Sequence, residues 1–169
     1  MAALIAYFSR AGENYFSGAL RTVQVGNTEL VAKTLAELTG AELCKIEMAA
    51  PYAQGYNECI EEARADQRRD ARPELRACPE NLDAYDTIYL GYPNYWGTMP
   101  MAVFTFLERY DFTGKTIHPF CTHEGSGLGH SEKDIRRLCP GAKVEAGLAI
   151  QGGHAKEARK TLETWIHRQ

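Results

Sequence analysis

The sequence predicts an α/β domain in which a parallel sheet is covered on both faces by helices. Three observations lead there. Short apolar runs alternate with stretches of helical period through all 169 residues, the order that successive βαβ units produce. The runs are nearly continuous in apolar residues, as strands buried on both faces should be. Gly, Ser, Thr and aromatic residues gather after the first, third and fourth runs, and ligands of such sheets sit beyond the carboxyl ends of the strands. No repeat, low-complexity segment or linker divides the chain, so residues 1–169 read as one domain.

Leu4 to Phe8 is the first strand. From Thr28 the period becomes helical, with Leu30, Val31, Thr34, Leu35 and Leu38 on one face and Gly40 as the stop. Leu43 to Ile46 is the second strand. Tyr56 to Arg69 carries charges of both signs and reads as a helix with a solvated face. Pro73 and Pro79 bracket an irregular connection. Thr87 to Tyr92 is the third strand, ended by Pro93. Pro100-Met101 opens a helix through Val103, Phe104, Phe106 and Leu107, with proline at a tolerated position. Thr116 to Cys121 is the fourth strand, and Ile135 and Leu138 mark the helix after it. Lys143 to Ile150 is the fifth strand and Ala155 to Ile166 the closing helix.

Composition excludes more than it assigns. A net charge of -3 gives no footprint for nucleic acid or for a membrane surface. Cys44, Cys59, Cys78, Cys121 and Cys139 are scattered, with no CxxC pair, which suits reduced thiols rather than a disulfide frame. The start of the chain lacks a basic, long apolar leader, and no segment approaches the roughly 20 apolar residues of a membrane span. A cytoplasmic protein is the expectation.

Two turn signals follow the first strand, Gly12-Glu13-Asn14 and Gly26-Asn27-Thr28, and either could open a helix whose N–H groups grip a phosphate. The first is followed by Tyr15-Phe16-Ser17-Gly18, which has no sustained helical period. The second runs straight into a periodic helix, with Gly26 for the tight turn and Asn27 or Thr28 as cap. Ser9 at the strand end and Asn27-Thr28 at the helix start therefore form a split motif, with Gly12 to Val25 looped out between them. An ordinary cap without a ligand is the competing reading of Asn27-Thr28. The lysine of a triphosphate loop and a GxGxxG after the first strand are both missing, which sets aside nucleoside triphosphates and dinucleotides.

Rejoined, "YFSRAG…GNTELVA" resembles the phosphate loop of flavodoxins. "GYPNYWGTMPMAVFTFLE" and "FCTHEGSGLGHS" resemble their two loops around the isoalloxazine ring. The resemblance implies a flavodoxin-like, three-layer doubly wound sheet of five parallel strands in the order 2-1-3-4-5, with FMN at its carboxyl edge. It implies that Ser9, Asn27 and Thr28 hold the phosphate, with Arg10 and Gly26 acting mainly through backbone. Pro93, Asn94, Tyr95, Trp96, Gly97 and Thr98 match the loop that packs on the ring, and Thr122, Glu124, Gly125 and Ser126 match the loop at its pyrimidine edge. Gly97 is suited to a reorienting peptide because it enters positive φ cheaply. His123 and His130 read as polar loop residues with general acid as the alternative, His118 and His167 as structural or solvent-facing, and His154 as a cap of the last helix. Cys121 lies near the site with nothing to activate it.

Three departures from the family bear on function. The Gly12 to Val25 excursion is absent from the simplest flavodoxins, and its Tyr15 and Phe16 suggest a lid. The second ring loop lacks the usual stacking tyrosine, which leaves a flavin face for a substrate. The charge is weakly acidic for a protein that docks on basic partners. The expectation is an FMN flavoprotein and oxidoreductase, either an electron-transfer carrier or an NAD(P)H-linked reductase of quinone-like acceptors. Its partner is then a redox protein or a small-molecule acceptor. The alternative is a non-catalytic binding module that has lost FMN.

Overall fold

In the first strand, β1 (Ala2–Tyr7), side chains alternate between two cores: Leu4 and Ala6 face one side, Ile5 and Tyr7 the other. This double burial is why the run is apolar without a break. The computed structural model describes residues 2–16 and 18–169; Ser17, part of the predicted excursion, lies outside the described residues. The strand is followed by β2 (Gly12–Phe16) and β3 (Ala19–Val23), then α1 (Asn27–Thr39) and β4 (Glu42–Lys45). Next come α2 (Tyr56–Arg68), β5 (Tyr85–Pro93), α3 (Met101–Arg109), β6 (Thr116–His123) and α4 (Ser131–Leu138). The chain closes with β7 (Lys143–Val144), β8 (Leu148–Gln151), a 3-10 helix (Gly152–Glu157) and α5 (Arg159–His167).

The main sheet is parallel in the order β4-β1-β5-β6-β7, with β8 also on β6, which is the predicted 2-1-3-4-5 pattern. One face carries the core that includes Met101, Phe104, Phe106 and Ile135 from α3 and α4. The other carries Val31, Leu35, Leu162 and Trp165 from α1 and α5.

The structure departs from the sequence reading at three places. The excursion is an antiparallel hairpin, β2–β3, pairing Tyr15 with Leu20. The fifth strand is two pieces, because the Gly147 N–H is drawn off the ladder to the Glu132 carboxylate at 2.7 Å. The closing helix starts later than Ala155: Gly152-Gly153 opens a 3-10 turn, and Ala158 rather than His154 stands at the start of α5, with no side-chain cap.

Candidate functional site

At the end of β1 the chain passes Phe8, whose N–H donates to the Gly91 carbonyl at 2.9 Å, and reaches Ser9. The Ser9 hydroxyl accepts the Glu29 N–H at 3.0 Å. It thus caps α1 from outside the helix, while Gly26 at the N-cap position makes no side-chain cap bond. The expected cap by Asn27 or Thr28 is therefore corrected: both are already helical, so their side chains lie past the capping position. The N–H of Leu30 goes to the Gly26 carbonyl at 3.1 Å, and those of Asn27 and Thr28 project from the helix end.

Gly26 is needed here for a different reason from a tight turn. Its φ is −70°, open to any residue, but a Cβ would stand 2.4 Å from both the Arg10 carbonyl oxygen and the Ser9 hydroxyl. The two halves of the split motif touch through a glycine. Thr28, only 2% exposed, hydrogen-bonds through its hydroxyl with that of Thr122, 4% exposed, at 2.7 Å. The bond ties α1 to β6 beneath the floor of the cleft. Glu29 is held below the usual carboxylate range; burial opposes this, but Lys33 and Lys45 outweigh it.

Arg10 points neither to solvent nor to the α1 end. Its guanidinium donates to the carbonyls of Ala53, Gln54 and Glu13 at 3.0, 2.6 and 3.1 Å. The hairpin is fixed in the same region: the Asn14 amide donates to the Arg10 carbonyl at 2.7 Å, and the Glu13 carboxylate accepts the Tyr56 N–H at 2.8 Å. Tyr15 stacks on Tyr56 with centroids 6.0 Å apart. The hairpin is therefore braced against the start of α2 and forms a side wall.

Past β5, Tyr95 and Thr98 exchange backbone hydrogen bonds at 2.8 and 3.3 Å around a turn in which Trp96 and Gly97 have φ of 53° and 89°. Two left-handed residues in succession make a primed turn, which is costly for a tryptophan. It is held from several sides. The Asn94 side chain accepts the Gly97 N–H and donates to the Gly127 carbonyl, both at 2.9 Å, joining the two ring-loop candidates. The Trp96 indole donates to the Ile60 carbonyl at 2.8 Å, Arg64 lies over its ring at 4.4 Å, and Gln67 donates to its carbonyl at 3.2 Å. Trp96 remains 41% exposed. Tyr95 sits edge-on to Phe8 at 6.0 Å, and burial, together with nearby Cys59, pushes its hydroxyl well above the usual tyrosine range.

These elements enclose a cleft of about 300 Å³, at the small end of ligand pockets. Of the predicted site residues, Arg10, Asn27, Pro93, Asn94, Tyr95, Trp96, Gly97, Thr122, Glu124 and Ser126 line it. Ser9, Gly26 and Thr28 stand behind it as supports. Gly125 donates its N–H to His123 Nδ1 at 2.8 Å, shaping the 122–126 loop. Thr98 is buried and turned away, donating to Asp134 at 2.5 Å, and His130 Nδ1 meets the same carboxylate at 3.0 Å. Cys121 is buried, which pushes its thiol up to about 12 and makes it a poor nucleophile.

Sequence reasoning missed the α2 wall. Tyr56, Cys59, Ile60 and Ala63 line the cleft, at the i, i+3, i+4, i+7 spacing of one helix face. That stripe was present but hidden among acidic and basic residues.

A doubly wound sheet with a cleft at its carboxyl edge, between a helix N-terminus and an aromatic turn, defines a flavodoxin-type protein. The match to the flavodoxin family model extends over residues 3–169, and the chain belongs to that family. Among solved structures it is similar to a candidate flavoprotein from Bacteroides uniformis at 29% identity, TM-score 0.80, with 98% of this chain and 97% of that one covered. A candidate flavoprotein from Bacteroides eggerthii is similar at 26% identity, TM-score 0.79, over 98% and 96% of the two chains. A Lactobacillus acidophilus flavoprotein in complex with FMN shares the fold at 19% identity, TM-score 0.65, over 94% and 98%. No curated protein matches.

Proposed function

We propose that this flavodoxin holds FMN in the cleft and works as an NAD(P)H-linked reductase of small, planar, quinone-like acceptors. The observation that carries the reading is the asymmetry of the cleft. One side is ringed by Tyr95, Trp96 and the stacked Tyr15–Tyr56 pair, while the 122–126 loop opposite offers only His123 as a ring. A second planar molecule can lie against a flavin on that open side. The hairpin wall narrows the approach, which suits a small molecule better than a protein partner.

The residues present fit FMN. The Asn27 and Thr28 N–H groups at the start of α1 suit a phosphate. Among the described residues, the Arg10 Nε is buried without a hydrogen-bond partner and Arg10 lines the cleft, while the Tyr95 hydroxyl lies beside the Cys59 thiol. Unsatisfied buried polar atoms in a cleft wall are what a polar ligand would complete. When bound, FMN supplies a ring that accepts two electrons and passes them on. Tyr95 and Trp96 exclude water from one face, Asn94 holds the two ring loops in register, and Ser126 offers a polar group at the edge.

The test is acceptor-dependent oxidation of NAD(P)H by the FMN-loaded protein with a soluble quinone. Turnover that requires both flavin and quinone is the expected result. One-electron reduction without turnover would instead assign a carrier, and failure to bind FMN would assign the binding-module alternative.

A further inference from the structure

Four large apolar side chains stay exposed among the described residues: Tyr15 at 39%, Leu20 at 47%, Leu43 at 42% and Trp96 at 41%. One such residue alone is ordinary, but several gathered at the mouth of a cleft mark a binding surface. Tyr15 and Trp96 both line the cleft. Leu20 stands directly opposite Tyr15 in the β2–β3 register, and opposed residues of an antiparallel pair share a face. Leu20 therefore continues the Tyr15 ring outward along the hairpin. The other face of the hairpin is finished differently, with the Arg21 guanidinium over the Phe16 ring at 5.7 Å. Leu43 is elsewhere, on the edge strand β4.

The size of the cleft gives this rim its meaning. At about 300 Å³ it is small for a ligand pocket, so a bound flavin leaves space for little more than a ring laid against it. A substituent on that ring has to leave through the mouth, past Tyr15, Leu20 and Trp96. We propose that the rim is a subsite for an apolar chain, and that the preferred acceptor is a quinone carrying an alkyl or prenyl substituent rather than the bare ring. This rests on the reductase reading of the cleft. Chain carbons leave water for side chains that are themselves exposed, so both surfaces gain from the contact.

The experiment compares a dimethoxymethyl-benzoquinone with the same ring carrying a decyl chain, on the FMN-loaded wild type, Leu20→Ser and Leu43→Ser. Far-ultraviolet circular dichroism checks folding, equilibrium dialysis of the oxidised protein gives the affinity for each quinone, and NAD(P)H oxidation gives kcat/KM. In the wild type the decyl quinone should bind about tenfold tighter, with a matching gain in kcat/KM. Leu20→Ser should cut that preference about threefold, Leu20→Phe should keep it, and Leu43→Ser should leave it in place. Equal affinity for the two quinones overturns the proposal. So does a preference that survives Leu20→Ser, or one that falls as far in Leu43→Ser, because the chain would then rest elsewhere or on any apolar spot. In those cases continued turnover leaves the reductase reading intact. No turnover with either quinone removes that reading and the proposal with it.

Discussion

At the α1 end of the cleft the helix start offers backbone N–H donors, and behind them stand the Ser9–Glu29 bond, the Thr28–Thr122 bond and the Gly26 contact with Arg10. At the α2 end they are rings on a turn whose two central residues both have positive φ, with Trp96 substantially exposed. The first end is held by a buried Thr28–Thr122 bond, a part-buried Ser9–Glu29 bond and a glycine contact with no room for a side chain. The second is held by Asn94 and by partners on α2, Ile60, Arg64 and Gln67, around a partly exposed ring. Affinity for a phosphate is best built at the first end, and adjustment of the ring environment at the other.

The contrast breaks most readily at Gly26. Gly26→Ala forces a Cβ into the Arg10 carbonyl and the Ser9 hydroxyl. Thermal unfolding should reveal a loss of about 3 kcal/mol, and FMN affinity should fall about 100-fold, equivalent to roughly 2.7 kcal/mol. Wild-type stability and affinity in this variant would mean that the α1 end adjusts as freely as the other.

Thr28→Val tests the same end from below. It leaves the Thr122 hydroxyl buried without its partner, so urea unfolding should show a cost of about 1–2 kcal/mol. Adding Thr122→Val should recover part of that loss. No recovery would mean that the pair acts by packing and not by its hydrogen bond.

Gly97→Ala addresses the adjustable end. The methyl meets His130 Nε2 at 3.4 Å, and φ of 89° strains any side chain. A cost of about 1 kcal/mol is expected, and if it falls on one redox state it moves the flavin midpoint potential by roughly 20 mV. FMN affinity should change less than about threefold. A larger loss of affinity than shift in potential would place ligand-holding strength at the turn and reverse the comparison.

The smallest effect is expected outside both ends, at His118. It is buried against Tyr89 and Trp165, and burial lowers its pKa. The unfolded chain takes up its proton near the ordinary value of about 6.5, while the folded one resists. Stability is therefore fully present above that value and falls as pH drops below it towards the lowered folded value. His118→Phe should flatten this acid slope in a denaturant series and keep wild-type FMN affinity at neutral pH. A steeper slope in the variant would contradict the burial argument.

The sequence by itself determined the order of the main-sheet strands and their helices, the carboxyl edge as the place of the cleft, the limits of the 12–25 insertion, and the grouping of Ser9 with Gly26-Asn27-Thr28. These follow from hydrophobic period and turn chemistry, which are properties of near neighbours in the chain. Only the tertiary structure decided that Ser9 caps α1, that Arg10 reaches the Ala53 and Gln54 carbonyls, that Thr98 turns away to Asp134, and that α2 is a wall of the site. The physical reason is the same in each case. A backbone carbonyl carries no residue signature, and a charged helix does not announce which stripe it buries. The pairing of groups more than 40 residues apart, as in Arg10 with Ala53, is chosen by packing.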